Sequence, residues 1–186
     1  MAITAEQAQS VYERADCIFD KKTVYAALDK MAEDITKVLK GRNPLVLCLM
    51  TGGLVPTSEL VIRLDFPLEL DYIHASRYGN ETRGTDLHWH AKPRKSLADR
   101  EVLVIDDILD EGETLKAIVK YCEDQGAARI LSAVLVDKVH DRKTGMKKAD
   151  FVGLNVPDRY VFGFGMDYKG YLRNVPGIYA AQVQDE

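Results

Sequence analysis

The chain has 186 residues, 46% of them hydrophobic and 29% charged, with a formal net charge of −4. That length and composition suit a soluble globular protein with one core, and neither a low-complexity tract nor an internal repeat argues for disorder or a solenoid. The acidic balance argues against a chain built to coat nucleic acid, which needs a clustered basic surface, but it leaves room for phosphate groups held by backbone amides.

The N-terminal MAITAEQAQSVYERAD lacks the basic-then-apolar layout of a signal peptide, and no apolar run approaches the ~18 residues that span a bilayer. A cytoplasmic protein without a membrane partner is the expectation. Thr4, with Gln7 three residues later, reads as a capping box opening a helix to about Ala15. Val24, Leu28, Met31, Ile35, Val38 and Leu39 recur at helical spacing before Gly41 and Asn43-Pro44 stop the segment. Both helices are expected to cover a sheet. The run LVLCLM (Leu45 to Met50) has the continuous apolar character of a strand buried on both faces. Pro56 then suits the start of a helix carrying Leu60, Val61 and Leu64. Leu68, Leu70 and Tyr72 alternate with acids as a second strand. Cys17, Cys48 and Cys122 lie in periodic apolar segments without C-x-x-C spacing, and read as reduced, buried thiols.

Tyr78 to Arg100 is a polar connection of about twenty residues, long enough to imply a lid, with a short hairpin around Leu87 and Trp89. His88 and His90 fit a partly exposed hairpin face better than a metal site lacking a third ligand. The clearest unit follows: a strand at Val102 to Ile105, the loop DDILDEGET, a helix with Leu115, Ile118, Val119 and Cys122 on one face, a stop at Gly126, and a strand at Ile130 to Val136. Lys138 to Ala149 reads as a basic loop, with His140 and the cluster Lys143, Lys147, Lys148 on its surface. Short strand-like pieces (FVGL, RYVFGFG) complete the tail. Alternating strands and helices predict an α/β fold with a mainly parallel sheet flanked by helices. One domain, 1–186, is expected, with a core over about 38–150 and a small hood from about 1–37 and 151–186.

The loop after Ile105 holds five carboxylates: Asp106, Asp107, Asp110, Glu111 and Glu113. A solvated acidic turn capping the next helix is one reading, since acids are favoured at helix N-termini. The other is an anion nest: Gly112 lets the loop curl, and the amides from Asp110 to Thr114 converge on the positive end of the helix dipole. Without a lysine in the loop, amides and the Thr114 hydroxyl would hold the phosphate, leaving the acids for vicinal hydroxyls and a divalent cation.

VLVIDDILDEGET resembles the phosphoribosyl pyrophosphate signature of the type I phosphoribosyltransferase family: an apolar strand, two acids, two apolar residues, then D-x-G-x-T. The resemblance implies that Asp106 and Asp107 serve the ribose hydroxyls, directly or through Mg2+, and that Asp110, Glu111, Gly112, Glu113 and Thr114 cradle the 5′-phosphate. It narrows to the hypoxanthine-guanine branch of purine salvage over about Pro44 to Tyr171. VLVDK then assigns Lys138 to the purine 6-oxo group. DRYVFGFGMDY assigns Tyr160 to stacking, the Val161 backbone to the base edge, and Asp167 to the 2-amino position and a second Mg2+. YLRN gives Arg173 to pyrophosphate. MTGG resembles the first pyrophosphate loop, with Thr51 and Gly52, where relatives can carry a non-proline cis peptide. That loop departs from relatives in having Thr51 where they often carry Lys or Arg. Ser76, Arg77 and Tyr78 stand near the Ser-Tyr pair of the lid. Asp110 is the implied catalytic residue, taking or sharing the purine N7 proton. Small-molecule substrates and a homodimer or homotetramer are implied, with no nucleic-acid partner. A xanthine-preferring or orotate-type enzyme and a nucleotide-responsive regulator on the same fold stay open as alternatives.

Overall fold

Every residue of Leu45–Met50 is apolar because the strand it forms has a helix layer on each side. In a computed structural model of the protein, which describes residues 3–77 and 87–185, helices and strands follow one another in the order α1 (Ala5–Arg14), β1 (Asp16–Phe19), α2 (Lys21–Leu39), β2 (Leu45–Met50), α3 (Leu54–Val61), β3 (Glu69–Arg77) and β4 (Leu87–Ala91). They continue through β5 (Glu101–Leu109), α4 (Glu113–Asp124), β6 (Arg129–Val139), β7 (Phe151–Pro157), β8 (Val161–Phe162) and β9 (Ile178–Ala180). The large sheet has the order β4-β3-β2-β5-β6-β7, parallel throughout except for the antiparallel edge strand β4. This is the expected α/β architecture. On one face α2 and α3 supply Leu28, Ile35 and Leu60 to a core with Val46, Leu103 and Ile105; on the other, α4 supplies Leu115, Ile118 and Cys122 against Leu45, Leu47 and Val104. Alternate residues of one strand therefore enter different cores.

A second sheet, β1-β9-β8, is small and antiparallel. The Thr4–Gln7 capping box forms as expected, but α1 lies on this small sheet, with Val11 beside Phe162 and Tyr168, and not on the large one. Conversely, α2 and β7 belong to the large layer, because β7 pairs with β6 and α2 packs on β7. The hood expected from 1–37 and 151–186 is thus reduced to α1, β1 and the segment after β7.

Four local expectations change. On β3, Leu70 and Tyr72 are 50% and 44% exposed, while Ile73 and Ala75 are buried. The helix α3, only eight residues long, packs over β2 and β5 and leaves the outer strand uncovered on that face. That helix starts at Leu54, so Pro56 sits inside its first turn, where no intrahelical N–H bond is forfeited. Cys17 is exposed on β1, whereas Cys48 and Cys122 are buried. The piece RYVFGFG yields only two strand residues, because Gly163, Phe164 and Gly165 all take positive φ and turn the chain away. The hairpin around Leu87 and Trp89 is present as the β3–β4 pair.

Ile35 is fully buried between α2 and the sheet, so Ile35→Ala should cost about 2–5 kcal/mol of unfolding free energy in urea titration. Thr4→Ala, which removes only an outer-helix cap, should cost about 1 kcal/mol.

Candidate active site

Strand β5 does not end at Ile105. It runs on through Leu109, so Asp106 and Asp107 are strand residues and the turn proper is only Asp110 to Gly112. The shortening follows from pairing, since Asp106, Ile108 and Leu109 stay in register with Val134, Val136 and Asp137 of β6. Both acids are thereby held by a ladder at the carboxyl end of the parallel sheet, where ligands of open α/β folds bind. A cleft of about 540 Å³ opens there, lined by Gly52, Asp106, Asp107, the turn and helix start from Asp110 to Leu115, Asp167 and Arg173.

The floor is strongly acidic. Burial first, and then the neighbouring Asp107 charge, raise the Asp106 carboxyl well above the usual carboxylate range. Burial likewise raises Asp107, against the opposing pull of its hydrogen bond with Asp106 and the charge of Arg173. Local amides give partial relief: Asp107 N–H donates to Asp106 Oδ1 (2.9 Å) and Ile108 N–H donates to Asp107 Oδ1 (2.8 Å). Arg173 spans the far wall, with Nη1 3.8 Å from Asp107 Oδ2, Nη2 2.7 Å from Asp167 Oδ1, and a bond from Nη1 to the Gly165 carbonyl (2.6 Å). Asp167 Oδ2 also accepts from Gly170 N–H (2.7 Å).

Two glycines set the close approaches. A Cβ at Gly52 would lie 1.9 Å from Asp107 Oδ2, so the first loop can rest on that carboxylate only without a side chain. The Met50–Thr51 peptide within this loop is cis. Gly112 has φ +81°, and a Cβ there would meet the Met146 carbonyl at 2.1 Å. The loop after β6 is clasped to the turn at this point, with Gly145 N–H donating to Glu111 O and Met146 N–H to Gly112 O, both at 3.0 Å. As N-cap of α4, Gly112 offers no side-chain acceptor, which leaves first-turn amides facing the cleft for an outside anion.

Asp110 stands at the edge of the cleft with both oxygens engaged. Lys138 Nζ lies 2.7 Å from Oδ2, and His140 Nε2 lies 2.7 Å from Oδ1. Burial would raise this carboxyl, but the hydrogen bonds from Lys138 and His140 outweigh it and hold Asp110 below the usual range. His140 is a correction to the sequence reading: far from lying on a loop surface, its side chain is 4% exposed. The missed signal was spacing, because β6 extends to Val139 and residues two apart on extended chain share a side. Lys138 and His140 accordingly both reach Asp110, while Val139 is 63% exposed.

The other expected site residues are spread more widely. Tyr160 packs against Tyr168, with centroids 5.3 Å apart, and Val161 is buried where β8 pairs with Ala180; with Lys138, they lie outside the cleft lining. Thr51 is exposed beside Gly52. Ser76 Oγ lies 2.8 Å from His90 Nε2, whereas the Arg77 side chain and Tyr78 fall outside the described residues. His74, His88 and His90 form a ring cluster on the β3–β4 hairpin, His90 lying tilted to His74 and edge-on to His88. Among the described residues, no group of three or more His, Cys, Asp or Glu side chains is arranged to hold a metal ion unaided.

The phosphoribosyl transferase domain family matches residues 14–169. The chain belongs to that family. It is 32% identical over 162 residues to the hypoxanthine-guanine phosphoribosyltransferase of Bacillus subtilis, an alignment covering 87% of this chain and 89% of the relative. It is 33% identical over 160 residues to the bifunctional protein TilS/HprT of Listeria innocua; there it covers 84% of this chain but spans only 24% of the longer relative. Among solved structures, a hypoxanthine phosphoribosyltransferase from Staphylococcus aureus superposes with a TM-score of 0.85 at 26% identity, covering 91% of this chain and 92% of that one.

Gly52→Ala should weaken binding of a ribonucleoside 5′-monophosphate by roughly tenfold or more, because the new methyl displaces Asp107 and small misplacements in such a site are costly. Isothermal titration calorimetry measures it; unchanged affinity would mean that Asp107 can move freely.

Proposed function

We propose that this phosphoribosyltransferase serves purine salvage, converting hypoxanthine or guanine and phosphoribosyl pyrophosphate to the nucleoside monophosphate and pyrophosphate. One observation carries the reading: a turn whose helix amides lack a side-chain cap stands directly above paired strand carboxylates in one cleft. The first feature suits a 5′-phosphate, and the second suits the ribose hydroxyls and a cation. The hypoxanthine-guanine relatives named above support the choice of base.

In this reading the amides and side chains from Asp110 to Thr114 cradle the 5′-phosphate, while Asp106 and Asp107 face the 2′ and 3′ hydroxyls. Gly52 and Thr51 offer amides to pyrophosphate, with Arg173 supplying charge. The donor set fits Mg2+: the acids are hard oxygen ligands, their burial and mutual repulsion favour a nearby cation, and two acids leave the remaining positions to substrate oxygens and water. Asp106 and Asp107 would hold one ion and Asp167 a second. When bound, the metal stabilises negative charge on the leaving pyrophosphate.

The purine N9–C1′ bond forms as the C1′–O bond to pyrophosphate breaks, through an oxocarbenium-like state. The N7 proton passes to Asp110. For that to happen Lys138 must leave Oδ2, and the 6-oxo oxygen of the incoming base is its natural new acceptor. Tyr160 stacks on the base, the Val161 backbone reads its edge, and Asp167 lies toward the 2-position. The segment from Ser76 through Arg77 and Tyr78 acts as the lid that excludes water. The protein works as one domain with a small hood, in the cytoplasm, as a homodimer or homotetramer. Among the described residues no helix is long and apolar enough to cross a membrane.

A pyrophosphate-release assay with phosphoribosyl pyrophosphate, Mg2+ and each base in turn tests the assignment. Hypoxanthine or guanine should support turnover, and adenine, whose 6-amino group opposes the Lys138 ammonium, should be slower by about 10⁴-fold. Silence with every 6-oxopurine would refute the function. Asp110→Asn should lower kcat by about 10²- to 10⁴-fold with smaller effects on binding.

A further inference from the structure

We infer that His140 is a positioning residue for Asp110: a neutral imidazole, protonated on Nε2, that keeps the carboxylate aimed while Lys138 transfers from it to the base. The inference rests on the proposed phosphoribosyl transfer and adds a group the motif does not contain.

The tautomer follows from the two ring contacts. The backbone N–H of Arg142 donates to Nδ1 at 3.0 Å, so Nδ1 must present a lone pair. The ring proton therefore sits on Nε2, which donates to Asp110 Oδ1 at 2.7 Å.

The two partners of Asp110 differ in freedom. Lys138 ends a flexible four-carbon stem and can follow a new acceptor. His140 is held at both ring nitrogens, and the loop that follows it is tied at further points. Arg142 pairs with Asp158 at 2.5 Å, and the Gly145 and Met146 amides bind the Asp110 turn itself. Once Lys138 departs, Oδ2 is open to the purine N7–H while Oδ1 stays anchored. Asp110 from the turn is bonded to the ring, Lys138 from β6 is bonded to the same carboxylate, and Arg142, whose side chain pairs with Asp158, also feels the charges of Asp110 and Glu111. The Asp110 carboxylate and the Arg142 backbone N–H are bonded to the imidazole.

The test compares wild type, His140→Leu and His140→Gln in the pyrophosphate-release assay across pH, with thermal melting to confirm folding. Removing the donor takes away one of the hydrogen bonds that keep Asp110 below the usual carboxylate range, so its pKa rises. Activity that needs ionised Asp110 is lost as pH falls, and in His140→Leu that acid limb should move to higher pH. Its kcat should fall about tenfold, the lower end of what losing an orienting partner costs, with KM for phosphoribosyl pyrophosphate little changed. His140→Gln, which restores an N–H donor, should recover most of both. Ring ¹⁵N shifts of wild-type His140 read the tautomer without turnover: a proton on Nε2 is expected, and one on Nδ1 overturns the inference even if a variant fails to fold. An active wild type whose folded His140→Leu variant keeps kcat and the acid limb sinks this inference alone. A wild type inactive with every 6-oxopurine sinks the proposed function and this inference with it.

Discussion

Five carboxylates within eight residues at the end of a buried strand form a concentration of like charge that the rest of the cleft is arranged to offset. Burial of Asp106 and Asp107, with the charge of Asp107 adding to it at Asp106, favours a cation or a proton on that pair. Arg173 supplies a fixed cation from the far end of the chain, and the helix dipole of α4 lies under Glu113. Asp110 is treated differently. Its two hydrogen-bonding partners from the β6 segment keep it ionised, so acids three residues apart carry opposite shifts. Opposed shifts of that kind allow one short segment to hold both ligands for cation or hydroxyl groups and a proton acceptor.

Backbone contacts give this electrostatic arrangement its spacing. The first loop lies on Asp107 because Gly52 has no side chain, and Gly165, with φ +107°, brings the C-terminal segment down onto the Gly52 carbonyl. Arg173 then reaches the floor from that segment while bonded to the Gly165 carbonyl. Residues more than a hundred positions apart in the chain are thus placed by two missing methyl groups. The large sheet contributes the other constraint, because a parallel ladder fixes where each strand ends.

The sheet was readable because its strands are saturated with apolar residues, and the βαβ unit because Leu115, Ile118 and Cys122 keep helical phase. The acidic turn was legible as a motif, down to the need for glycine at position 112. Other features lay beyond local pattern. Leu70 and Tyr72 alternate as a buried face should, yet the helix on that side covers different strands. Val24 to Leu39 and Phe151 to Pro157 gave no sign that they share one layer, since their contact spans more than a hundred residues. His140 was missed because the end of β6 was placed at Val136, three residues short, which hid its alternation with Lys138.

The clasp between Gly145–Met146 and Glu111–Gly112 consists of main-chain groups alone. Peptide bonds offer the same donors and acceptors whatever side chains they carry, so the spacing between the loop after β6 and the acidic turn does not depend on which side chains stand at the clasp itself. Exposed Thr144 can be exchanged at little cost, while 145 is confined to a residue with no Cβ, because any larger one would strike the Gly112 backbone. Exchange of exposed side chains in that loop can then alter surface charge and outside contacts without retuning the distance between β6 and the acidic turn.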